Sequence, residues 1–128
     1  MLKTYGMPLG GPDVPRSNVT TVDTGVVYTA TAQGTCNFGE VFTTDGRILS
    51  LNLKVLQDDR KFFPAYNLAP VVNKKQFDEH PEIAPVLAPV MAALTDAEIT
   101  ELNRKVDVDG QEIGTVAYNW LKSKGFVS

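Results

Sequence analysis

Apolar and polar positions follow two rhythms, changing near residue 73. Before it, short β-branched or apolar runs alternate with glycines and cap residues. The stretch Asn18–Val22 (NVTTV) suits a strand, since Val and Thr tolerate the pleat. Asp23 or Thr24 can cap a helix over Gly25–Ala32, with Gly34 as its stop. Cys36–Phe42 predicts a second strand, and Thr43-Thr44-Asp45 offers cap side chains to a short helix over Gly46–Ser50. Lys54–Leu56 predicts a third strand. Leu68–Val72 predicts a fourth, only partly regular because Pro70 removes a ladder donor.

Beyond residue 73 the pattern is helical. Lys74–Glu79 forms a short helix that ends before Pro81, where the next helix can start. Pro85 and Pro89 are expected to kink or segment that helix. Thr95-Asp96-Ala97-Glu98 is a capping box, with Leu94 and Ile99 as its hydrophobic staple. Ile99, Leu102 and Val106 continue at helical spacing. A last helix over Glu112–Lys124 carries the stripe Ile113, Val116, Ala117, Trp120 and Leu121. Strands mixed with helices, then helices alone, predict an α/β fold with a helical C-terminal section. The division falls into residues 1–73 and 74–128.

Composition narrows the function. Twelve Lys+Arg against fifteen Asp+Glu give a net charge of −3, with no basic cluster. Such a chain is a poor binder of nucleic acid or anionic membrane. The longest apolar stretch, Ile83–Leu94, is broken by two prolines and is too short to cross a bilayer. No apolar core of a signal peptide follows Met1, so no export signal is expected in this chain. The single Cys36 excludes an internal disulfide and any multi-Cys metal site. The sequence contains no glycine-rich phosphate loop, HExxH, CxxC or GxSxG, and no nucleophile–base pair is visible, so an enzyme is not expected and neither is a cofactor.

The remaining candidates each have a bland reading. His80 sits in Glu79-His80-Pro81 as a surface residue before a helix start. Cys36 has no cationic sequence neighbour and reads as an inert thiol. Asp107-Val108-Asp109-Gly110 resembles half of a calcium loop but lacks its other ligands, so a turn capped by Asp109 is expected and no metal. In Glu40–Arg47, Phe42 stands at the end of a strand beside a helix start, where ligands collect in open α/β sheets. It reads equally as core. In Asp58–Asn67 (DDRKFFPAYN), Phe62, Phe63 and Tyr66 crowd a proline-containing loop. They either cover the core or form a contact surface. Aromatic faces also hold quaternary ammonium groups without a counter-charge.

Taken in order, Phe42-Thr-Thr-Asp-Gly-Arg-Ile, Leu53-Lys-Val-Leu-Gln-Asp-Asp and Phe63-Pro-Ala-Tyr-Asn resemble the substrate-binding proteins of osmoprotectant ABC importers. The likeness extends upstream to Tyr5-Gly6 and Asp23–Ala30, and downstream through His80-Pro81-Glu82 and Val106-Asp107-Val108 to Gly125. The segment Cys36–Glu40 is similar to actinobacterial members. The resemblance implies a type II periplasmic-binding-protein-like lobe, here incomplete. Residues 1–73 would supply the α/β part of the second lobe, and residues 74–128 a helical section that crosses back to the first. It implies a quaternary amine as ligand (glycine betaine, choline, carnitine or proline betaine) and an ABC permease as partner. It also implies work at the extracellular face of the cytoplasmic membrane or in the periplasm.

Two aromatic-cage positions of the family fall on Phe42 and Tyr66. Phenylalanine at the first, where tyrosine is frequent, keeps the π face and loses the hydroxyl. Arg47 is expected to be structural. The alternative is a self-associating assembly module, such as a homo-dimer, with no ligand. Its motive is the apolar stripes of the last helices, which the resemblance leaves partly uncovered.

Overall fold

Helices carry the regular structure. The computed structural model describes every residue except Ala65. A 3-10 turn at Arg16–Asn18 precedes α1 (Thr24–Ala32) and α2 (Arg47–Ser50). Then follow α3 (Lys74–Glu79), α4 (Ile83–Ala93), α5 (Asp96–Asn103), a π-helical turn (Arg104–Val108) and α6 (Ile113–Ser123). These lie within two residues of the predicted helices. Gly34 and Gly125, at φ +76°, take up the left-handed geometry just beyond α1 and α6 that L side chains resist.

None of the four predicted strands forms: among the described residues no segment is paired into a β-ladder. A β-branched run fits a pleated surface, but only a neighbouring strand makes it a strand. In segment 36–42 two backbone groups go elsewhere: the N–H of Cys36 donates to the Ala30 carbonyl and that of Phe42 to the Tyr28 hydroxyl. Segment 36–42 therefore lies along α1. A Cβ on Gly39 would stand 2.6 Å from Val27 Cγ2, so only glycine permits this approach.

The prolines do not segment α4 either. Pro85 is the third residue of the helix, where N–H groups have no intrahelical acceptor to lose. Pro89 lies inside it, and the helix continues to Ala93. No single helix is long and apolar enough to cross a membrane among the described residues.

Burial is concentrated in two places. Tyr28 on α1 is buried beneath the Arg47 guanidinium, Ile48 lies on α2, which meets the π-turn, and Val116 and Trp120 lie on α6, with the Trp120 indole bonded to Glu98 of α5. The capping box forms only in half. Thr95 accepts the N–H of Glu98, but the Glu98 carboxylate turns to α6, where it accepts from Trp120 Nε1 at 2.8 Å and pairs with Lys124. The apolar stripes of α5 and α6 thus face each other around a groove of about 330 Å³ instead of both lying bare. A second apolar groove of about 510 Å³ runs between Val72, α3 and α4.

Candidate functional site

The two cage candidates meet. The rings of Phe42 and Tyr66 stack with centroids 6.4 Å apart and planes inclined by 29°. Both are exposed, Phe42 at 56% and Tyr66 at 88%, so neither is core. Phe62 and Phe63 instead form an edge-to-face pair of their own, 5.1 Å between centroids.

Phe42 stands on a clamped segment. Its N–H donates to the hydroxyl of the fully buried Tyr28 at 3.2 Å, and its carbonyl accepts from Asp45 N–H at 3.1 Å. Asp45 takes three donors from Arg47: the backbone N–H, Nε and Nη2 at 2.9, 2.9 and 2.6 Å. The Arg47 guanidinium lies 4.2 Å above the Tyr28 ring and also reaches the Gly25 carbonyl. From α5, Asn103 donates to the Thr44 carbonyl at 2.8 Å, and the Thr100 hydroxyl lies 3.4 Å from the Thr43 carbonyl. Arg47 is thereby occupied within the fold. Its hydrogen bonds hold the Asp45 carboxyl below the usual range, and burial pushes the Tyr28 phenol above its own.

The loop that leads to Tyr66 has a separate anchor. Asp58 accepts from the Tyr5 hydroxyl and, at 2.8 Å, from Phe63 N–H. Those two donors hold its carboxyl below the usual range. The Arg60 guanidinium caps the Tyr5 ring at 5.4 Å and donates to the Thr4 carbonyl at 2.5 Å.

The bland candidates take simple places. His80 Nδ1 lies 3.1 Å from Glu82 on the surface. Asp109 pairs with Arg104 at 2.8 Å. No group of three metal-ligating side chains occurs among the described residues. Sequence reasoning missed Tyr28. Its one signal is that it is the only aromatic on α1, which marks a core residue but not its hydrogen bond to a residue fourteen positions away.

Phe42 and Tyr66 thus form an exposed aromatic surface carried by two separately anchored segments. The substrate-binding domain family of ABC-type glycine betaine transport systems matches residues 1–123, and this chain belongs to that family. It is 40% identical to a glycine-betaine-binding protein of Pseudomonas aeruginosa over 89% of this chain and 37% of that protein. It is 35% identical to the glycine betaine-binding protein YehZ of Escherichia coli over 97% of this chain and 41% of that one. A crystal structure titled as a glycine betaine/carnitine/choline ABC transporter superposes with a TM-score of 0.81 at 30% identity, over 98% of this chain and 43% of the other. The fold is therefore that of part of a type II periplasmic-binding-protein lobe. The chain spans about two-fifths of the length of the relatives it matches.

Proposed function

We propose that this chain carries part of the binding site for a quaternary-amine osmoprotectant, within the substrate-binding protein of an ABC importer. The observation that supports this reading is the exposed Phe42–Tyr66 pair, 6.4 Å between centroids. A trimethylammonium group seated on the open face of either ring lies within the roughly 6 Å at which cation–π attraction operates. Such a ligand carries no N–H to donate, so aromatic faces suit it better than hydrogen-bond acceptors. Relatives named for glycine betaine and carnitine binding support the ligand class. In the intact protein, residues 1–73 belong to the second lobe and 74–128 cross back to the first. The protein works outside the cytoplasmic membrane and hands its ligand to a permease. Two rings alone are a small part of a cage, so this chain binds glycine betaine or choline no tighter than about millimolar, roughly 4 kcal/mol.

NMR titration of the chain with choline tests the reading. Shifts should centre on Phe42 and Tyr66. Tyr66→Ala should weaken binding by about 0.5–2 kcal/mol and Tyr66→Phe by less, since the π face survives. Unchanged binding in the alanine variant would show Tyr66 to be a bystander.

A finer reading concerns partners. Ile113 at the start of α6 is 68% exposed, and the α3–α4 groove is open and apolar. A second copy of the chain can cover such surface in a symmetric dimer. Light scattering at micromolar concentration decides it, and a strictly monomeric mass removes the dimer.

A further inference from the structure

The Phe42 ring is held in place by little of its own. The side chain is 56% exposed, and the segment before it belongs to no sheet that would fix its direction. What fixes residue 42 is its backbone, and the N–H end of that backbone rests on one side-chain atom, the Tyr28 hydroxyl. Tyr28 is fully buried and lies under the Arg47 guanidinium, so its hydroxyl does not wander. A phenylalanine would fill the same space. The hydroxyl is therefore surplus to packing, and a buried hydroxyl is costly unless it has partners. Its partner here is the Phe42 N–H, 3.2 Å away. Asp45 in turn donates its own N–H to the Phe42 carbonyl at 3.1 Å, so both backbone groups of Phe42 are tied to one rigid unit of Tyr28, Asp45 and Arg47.

We infer that Tyr28 is a positioning residue of the binding site: its hydroxyl sets where the Phe42 ring stands against Tyr66, without touching the ligand. The inference rests on the quaternary-amine reading of that aromatic pair. It adds a buried residue on α1 to the determinants of affinity.

The test is Tyr28→Phe in the full chain, with Phe42→Ala and the double variant alongside. Thermal unfolding confirms that each is folded. Without ligand, the Phe42 amide in Tyr28→Phe should exchange with solvent about tenfold faster, and the nuclear Overhauser contacts between the Phe42 and Tyr66 rings should weaken. With choline as the probe, Tyr28→Phe should lower affinity about threefold to tenfold, the range of one lost hydrogen bond. The same change should add nothing in the Phe42→Ala background, because no ring is left to position. Unaltered amide exchange and ring contacts would overturn the inference. So would an equal loss of affinity in the Phe42→Ala background, which would mark a general destabilisation. Should Phe42→Ala and Tyr66→Ala both bind choline like the parent while Tyr28→Phe still frees the Phe42 amide, the tether stands and the quaternary-amine reading falls.

Discussion

Gly46 lies close against the π-turn. A Cβ there would stand 2.4 Å from both the N and the Cα of Arg104. Its φ of −62° is open to any residue, so the requirement is for space and not for conformational freedom. Gly46→Ala must push α2 away from the π-turn, and the Asn103–Thr44 bond that steadies the Phe42 segment moves with it. We expect a loss of about 1–3 kcal/mol, as for other overpacked sites, measured by urea unfolding. A variant as stable as the parent would show that this contact gives way freely. At the same scale, the site is half legible. Phe42 and Tyr66 stand out in FTTDGR and FPAYN because those runs resemble a known family. Their approach to 6.4 Å, and the Tyr28 hydroxyl behind Phe42, depend on contacts between distant segments that no local pattern encodes.

Helix ends are the most legible elements, because caps act through neighbours in sequence. Thr95 accepts from Glu98 N–H, and the Glu112 carboxylate accepts from Gly114 and Thr115 N–H at the start of α6. Thr95→Ala should cost about 0.5–2 kcal/mol, read from thermal unfolding. That the four predicted strands do not form is not legible, because pairing is a property of two segments and each run shows only its own half. Glu98 makes the same point in one residue. Its place in the motif predicts a bond back to the helix start, yet the carboxylate joins α5 to α6 through Lys124 and Trp120. Glu98→Gln keeps an acceptor for the indole and loses the ion pair, so it should be milder than Glu98→Ala. Trp120 fluorescence during unfolding distinguishes them, and curves that match the parent in both variants would mean the link carries no stability.

The titrating groups of the whole molecule act in concert. Asp45, Asp58, Glu98, Glu101 and Glu112 are all held below their ordinary values of 3.8 for Asp and 4.5 for Glu, chiefly by hydrogen bonds. As pH falls through that range, the unfolded chain takes up protons before the folded one. Stability that is complete above about pH 5 is therefore lost progressively on acidification. Tyr5 and Tyr28 are shifted the other way, above 10.0, Tyr5 first by its bond to Asp58 and Tyr28 first by burial. Near pH 10 the unfolded chain releases these protons while the folded chain keeps them, so stability falls again as pH rises. The expected profile of urea midpoint against pH is a plateau between two descending limbs. Glu112 is exposed and Asp58, Glu98 and Glu101 are only half-buried, so salt should flatten the acid limb. Asp45 is the exception, with a side chain only 13% accessible, and its pairing with Arg47 should resist screening. Asp45→Asn should therefore lower the plateau and remove the part of the acid limb that survives in high salt. An acid limb that is unchanged by this substitution would show that the Asp45–Arg47 clamp contributes nothing to holding the fold together.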